Sequence, residues 1–447
     1  MSGPKHDDNA QPLDRTTKAV VGSALAVVNY GLFYLVGILL ARTLGGESFG
    51  DYSVAVAAVT MAATVATLGF EKFALRSVSS YREHGDLGRL HGFLRFSLLM
   101  IVLASTVTAC VVLACYEAFY QTTDTERRHA FTIAVLCLPV MAIVLHLIEV
   151  TTASGGYIWS TLVYRLLLPA VALILVVLGI QFDVSFNAEH ATWAYMLAWG
   201  VSLIVAGWLT GVLLPGSLLR TPGVYERRIW LKQAAPFMAN SVVLTVLNQS
   251  SVVIMEMVAS NEHSVGVFAA AAQTGSFVVL IATSTNRFYS PQLSVLMERN
   301  DAAGIRAMFR RRMKLLAVLG AAFVAVIVVF GRPLLGLYDA SFRDGYWTLV
   351  VIAISATLST LFSLSTYHLQ FAGRQRLVVG WATAATVVSV GLTAVLARLY
   401  GELGAAIGYA IPVIVTFGLM HLFSQREVRR MASRQPDATG HEEEIHG

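Results

Sequence analysis

The stretch FSLLMIVLASTVTACVVLAC, from Phe96 to Cys115, runs for twenty residues without a charge, between Arg95 and Glu117. A helix rises about 1.5 Å per residue, so a run of this length covers the roughly 30 Å of a bilayer's hydrocarbon core. Comparable runs recur along the 447 residues, 56% of which are apolar and only 13% charged. A water-soluble domain carries roughly a quarter charged residues. The deficit excludes a water-soluble enzyme and a disordered chain and specifies a polytopic membrane protein.

Twelve spans follow, at about 17–44, 48–75, 91–119, 130–153, 156–180, 190–214, 231–258, 264–293, 312–331, 345–371, 375–398 and 402–424. They must be helices, because a lipid-exposed backbone has to satisfy its own hydrogen bonds, and a barrel would show alternating segments of about ten residues. The expected architecture is all-α. The connections alternate in charge. Those at 1–18, 72–95, 165, 220–232, 287–314, 374–376 and 426–434 hold 26 of the 32 Lys and Arg residues. The opposite set holds six: Arg42, Arg127, Arg128, Arg332, Arg343 and Arg398. Basic residues collect on the cytoplasmic side, so both termini are expected there, and the net charge of +5 reads as topology rather than nucleic-acid binding.

The halves repeat. At a shift of 216, Gly50-Asp51-Tyr52 falls on Gly266-Val267-Phe268, and Gly88, Phe93 and Arg95 fall on Gly304, Phe309 and Arg311. Ser154-Gly155-Gly156 meets Ala372-Gly373-Arg374, and Ala194-Tyr195 meets Gly408-Tyr409 at 214. Six spans per half is an even number, so the repeat is parallel, a transporter plan with the path between halves. The expected organisation is a tail at 1–16, an N-lobe at 17–214, a linker at 215–230, a C-lobe at 231–424 and a disordered tail at 425–447.

Catalytic motifs are missing. No G-x-x-x-x-G-K-[ST] occurs, no sizeable loop carries a carboxylate pair, and His441 and His446 are too far apart for H-E-x-x-H. Cys110, Cys115 and Cys137 lie in apolar stretches and read as packing. No enzyme activity, metal or cofactor is expected, apart from a coupling ion of unassigned identity.

Ionisable residues inside spans are costly and mark cavities or partners. Glu149 follows His146 by one turn, placing a local pair or a cavity-facing acid. Glu256, near the end of its span, reads as snorkelling to the headgroups. Arg287 either anchors at the headgroups or faces the gap between halves, apart from the loop charges Arg310–Arg312. Arg42 caps a helix end or joins the path, and Arg76 and Arg165 belong to the interface or the path. Asn29 and Asn248, on the repeat-related first and seventh spans, are hydrogen-bond partners between helices or ligands.

The segment Leu39 to Tyr52, LLARTLGGESFGDY, with Thr67-Leu68-Gly69-Phe70, Leu75-Arg76 and Tyr81, closely resembles the signature of Wzx-type lipid-linked oligosaccharide flippases. These belong to the multidrug/oligosaccharidyl-lipid/polysaccharide exporter superfamily. Its pattern A-R-x-L-G-x-x-x-[FY]-G-x-[YF] is complete here, and Ala372-Gly373-Arg374 matches its A-G-[RK]. The resemblance implies a bacterial inner-membrane protein that moves a polyprenyl-pyrophosphate-linked repeat unit to the periplasmic leaflet by alternating access, for exopolysaccharide, capsule or O-antigen synthesis. It implies a cationic lumen, which by position would include Arg42, Arg76 and Arg287. A polysaccharide polymerase and a chain-length regulator are the implied protein partners, beside the lipid-linked glycan and the bilayer, with no nucleic acid. The competing readings are a small-molecule antiporter of the same superfamily and a membrane-embedded polymerase or ligase.

Overall fold

The computed structural model describes residues 11–119, 124–182, 186–258 and 263–433. Its helices are α1 (Gln11–Ala66), α2 (Phe70–Glu83), α3 (Leu87–Phe119), α4 (Thr125–Leu136), α5 (Leu138–Ala153), α6 (Tyr157–Leu162), α7 (Leu168–Phe182), α8 (Ala188–Leu213), α9 (Arg227–Val258), α10 (His263–Gly275), α11 (Val278–Glu298), α12 (Ala302–Leu335), α13 (Tyr346–Phe371) and α14 (Gln375–Ser433). Among the described residues there is no strand.

Two of these helices are hairpins of two spans. In α1 the backbone leaves helical geometry at Gly45 (φ 77°). Tyr34 and Phe49 both lie against Tyr338, at 5.6 and 6.1 Å between ring centroids. In a straight helix fifteen residues would separate them by about 22 Å. In α14 the reversal is at Tyr400-Gly401 (Gly401 φ 60°). There Gly404 sits against the carbonyl of Leu396, and Gly408 against Thr393, a backbone approach only glycine permits. Three other spans are interrupted. Pro139 starts α5 just after α4 ends. Pro169 cannot donate to the carbonyl of Arg165, and one π turn, Val163–Leu167, absorbs the fault between α6 and α7. α10 and α11 meet at 41°. Counted this way the described residues form twelve spans, six in each of two lobes.

Several bounds differ from the sequence expectation. The second span breaks at Leu68 and Gly69 (φ 51° and 74°), so Phe70 opens a separate helix, α2, instead of closing one that runs to 75. Helix α9 begins at Arg227, within the linker stretch, and α14 continues to Ser433, into the expected tail. Residues 434–447 and 1–10 lie outside the described residues.

The repeat is visible in individual hydrogen bonds. After α5, the amides of Ser154, Gly155 and Gly156 bond to Val150, Thr152 and Thr151; after α13, those of Ala372, Gly373 and Arg374 bond to His368, Gln370 and Leu369. Gly155 and Gly373 are both left-handed, as this helix stop requires. The α2–α3 and α11–α12 turns match likewise. Asp86 and Asp301 each cap the following helix through the amide three residues on, at 2.9 and 2.7 Å. That pairing sets the shift at 215 here, one less than the residue identities suggested. Buried positions agree: Leu90, Ser97 and Ile101 correspond to Ile305, Arg312 and Leu316, all at most 2% exposed.

The packing is continuous on one side of the molecule and divided on the other. Toward the basic-poor face a single core joins both lobes, combining Leu40, Phe49 and Val176 with Met255, Phe268, Tyr338 and Ala405. Toward the basic face the lobes have separate cores, one around Phe70, Phe93 and Met141 and another around Leu293, Ile305 and Phe309. Helix α9 crosses between them: Trp230 packs on Phe93 and Phe96 and donates its indole N–H to the Tyr81 hydroxyl (2.9 Å). The two lobes therefore form a V that closes at the basic-poor face.

Candidate substrate path

The closed seam is built from charges that apolar spans would otherwise reject. Arg127, near the start of α4, reaches Asp51 of α1 at 2.8 Å and Glu256 of α9 at 3.3 Å. All three side chains are at most 10% exposed. Glu256 thus does not snorkel to headgroups; it enters a buried triplet, because Asp51 and Glu256 need a cation once removed from water. One lobe supplies Asp51 and Arg127 and the other Glu256, so the triplet ties the two together. Beside it, Gln273 donates to the Phe33 carbonyl (2.9 Å) and accepts from the Tyr338 hydroxyl (3.1 Å). Gly266 of α10 rests directly on the carbonyl of Gly46, with no room for a Cβ.

Arg42 belongs to this seam. Its Nε donates to the carbonyl of Leu337, just past α12, at 2.5 Å. It does end a helix, as one reading had it, but the carbonyl it satisfies is on the other lobe. Asn248 is exposed and donates to Leu244 within its own helix (2.7 Å), so it joins no second helix. Asn29 is half-buried on the first arm of α1.

Below the seam the lobes face each other with different chemistry. In the first, Lys72 of α2 pairs with Glu149 of α5 (2.5 Å). Glu71 beside it is buried and faces Ser241 of α9. His146 bonds Ser97 (3.0 Å), not Glu149, so the two residues one turn apart serve different partners. Arg165, half-buried at the π turn, lies within electrostatic range of Tyr30 on α1. Arg76 is exposed on α2.

In the second lobe, Arg312 of α12 is 1% exposed. Its guanidinium reaches Asn286 Oδ1 (2.6 Å), Ser363 Oγ (2.8 Å) and the Leu361 carbonyl (3.3 Å), which joins α12 to α11 and α13. It is not one of a group of loop charges. Arg310 and Arg311 are exposed, whereas Arg312 faces inward on the same helix. Arg287 lies on α11, and its side chain is outside the described residues.

Sequence reasoning passed over Lys72, Glu71, Asp51, Arg127 and Arg312. Lys72 and Arg312 sat inside basic stretches read as loops, Glu71 and Asp51 lay inside the second span unremarked, and Arg127 counted only toward topology. The signal available for Arg312 was its register. It falls on the buried rim of a helix whose repeat partner, α3, buries Ser97 there. Among the described residues no three His, Cys, Asp or Glu side chains converge as a metal site.

The fold resembles solved transporters over nearly the full length. An inward-facing multidrug resistance MATE family transporter of the MOP superfamily superposes with TM-score 0.77 at 14% identity, over 94% of this chain and all of the other. An outward-facing structure of a transporter of the same description gives 0.66 at 15% identity, covering 94% and 97%. A MOP superfamily transporter from Pyrococcus furiosus, described as having a binding pocket of reverse polarity, gives 0.59 at 14%, covering 96% and 100%. No curated protein matches the chain at a significant level. The model of the polysaccharide biosynthesis protein family matches residues 16–296, well over half of the chain, and the protein belongs to that family, with a fold like that of MOP superfamily transporters.

Proposed function

We propose that the protein moves a polyprenyl-pyrophosphate-linked oligosaccharide across a bacterial inner membrane, from the cytoplasmic to the periplasmic leaflet. The observation that carries this reading is the V of two lobes, sealed at one face and divided at the other, in a member of the polysaccharide biosynthesis family. A gap between lobes lets a large polar headgroup pass while its lipid tail stays in hydrocarbon, which avoids the cost of burying unpaired polar groups. The charged groups below the seam, Lys72, Glu71, Glu149, Arg165 and Arg312, suit an ionic headgroup. With the basic face cytoplasmic, the described state is open to the side where lipid-linked units are made, and both termini are cytoplasmic. The protein would act without changing its substrate covalently, beside a polymerase and a chain-length regulator that use the product.

The test is reconstitution of the purified chain in liposomes with a fluorescent lipid-linked oligosaccharide. Translocation without a change in glycan length supports the flippase. A lengthened glycan would establish a polymerase, and transport confined to small organic cations would establish an antiporter. A phosphatase reporter fused after Gln425 should be silent and one after Gln181 active; the reverse pattern would invert the orientation.

A further inference from the structure

The internal repeat supplies a built-in comparison between the two walls of the gap. At the shift of 215 set by the Asp86 and Asp301 caps, Glu71, Lys72 and Ser97 correspond to Asn286, Arg287 and Arg312. At the shift of 218 set by the Gly155 and Gly373 stops, His146 and Glu149 correspond to Leu364 and Tyr367. Both sets lie in the divided half of the molecule, where each lobe keeps its own core. The first set carries two carboxylates and one ammonium; the second carries two guanidinium groups and no acid. The second set therefore lacks the acids that the first sets against its cations.

Arg312 is the anomalous member. In the first lobe the equivalent junction of three helices closes with a neutral contact, Ser97 to His146 at 3.0 Å. The fold thus needs no charge there. In the second lobe it holds a cation at 1% exposure. All four acceptors are neutral: Asn286, Ser363, Leu361 and, at 3.5 Å, Thr285. Arg312 Nε has no hydrogen-bond partner and is buried. An unneutralised buried cation is costly. Thr285 and Ser363, which accept from it, are partly exposed, so the charge lies one layer behind a polar surface. In a low-dielectric wall its field extends into the adjoining gap. Glu427 of this lobe is already engaged by Arg374 and Arg430, both at 3.6 Å.

We propose that the C-lobe wall receives the anionic end of the substrate, and that Arg312 is the positioning residue that draws it there through the Asn286–Ser363 pair. This rests on the reading of a lipid pyrophosphate as cargo. The step is non-covalent; the chemical class is a phosphate or pyrophosphate ester of an isoprenoid alcohol.

The experiment measures binding of geranyl pyrophosphate, geranyl monophosphate and geraniol to the full chain in nanodiscs, together with the melting temperature. Arg312→Met keeps the side-chain volume and leaves Asn286 and Ser363 bonded to each other (3.1 Å), so it should melt no lower than the parent. It should bind geranyl pyrophosphate at least tenfold more weakly, the monophosphate less affected and geraniol unchanged. Arg312→Lys should stay within about threefold of the parent, and should do so even if the Met variant fails to fold, with Arg312→Gln then serving as the neutral comparison. Unchanged pyrophosphate affinity in the neutral variants, or a Lys variant that melts normally but binds as weakly as the neutral ones, would overturn the role of Arg312. A parent protein that binds geraniol as tightly as geranyl pyrophosphate would instead sink the anionic-cargo reading itself, and this inference with it.

Discussion

Glu256→Gln separates the ionic link between lobes from the folding of either one. In the parent, Arg127 is shared between Asp51 of its own lobe (2.8 Å) and Glu256 of the other (3.3 Å). The Gln variant removes only the charge that crosses the seam and leaves Arg127 neutralised by Asp51. A hydrogen bond to a charged group is worth about 1.5–3 kcal/mol. If that interaction exists only while the seam is closed, its loss raises the seam-open population roughly ten- to a hundredfold, at about 1.4 kcal/mol per factor of ten. Ala270, fully buried on α10 one turn from both Gly266 and Gln273, gives a reporter position. With Cys110, Cys115 and Cys137 replaced by alanine, Ala270→Cys should react with a membrane-impermeant maleimide only when the seam opens. The labelling rate should rise tenfold or more on adding Glu256→Gln, with the melting temperature nearly unchanged. Arg127→Ala is the contrast. It strands two buried carboxylates and should cost about 3–5 kcal/mol of stability. A change in labelling below about twofold in the Gln variant would refute the triplet as a latch and leave closure to the apolar core and the Arg42 and Gln273 hydrogen bonds.

Gly266→Ala places a methyl group against the Gly46 carbonyl, where no space exists, and should raise labelling at the same reporter in the same direction. Trp230→Ala removes the fully buried anchor between Phe93, Phe96 and Tyr81 and should cost about 3–5 kcal/mol, read as a large fall in melting temperature. Lys72→Ala leaves Glu71 and Glu149 without their shared cation and should slow translocation, while adding Glu149→Gln should recover part of the rate. Additive losses in that double variant would show that the pair does not act as a unit. The half-exposed Lys72 should contribute under about 1 kcal/mol to stability, so the melting temperature should barely move.

Spans, handedness of the repeat and the basic face were legible in the chain because they rest on local quantities. A run such as Phe96 to Cys115 is committed to hydrocarbon whatever surrounds it, and loop arginines need no partner to be counted. The left-handed glycines at 45, 155, 373 and 401 likewise stand where short turns between spans were read. What the chain could not disclose depends on which side of a helix faces which neighbour. Arg310, Arg311 and Arg312 are adjacent in sequence, yet a 100° step per residue puts the last of them among Asn286 and Ser363 and leaves the other two exposed. Asp51, Arg127 and Glu256 lie on three helices and become a triplet only when two lobes meet. Arg42 reads as the cap of a helix end or part of the path, and the carbonyl it bonds is 295 residues away. The sequence determined that the protein spans a membrane as two parallel halves, since hydropathy and charge act residue by residue. Tertiary structure alone decided where the halves touch, because burying a charge depends on the opposite charge that another helix brings to it.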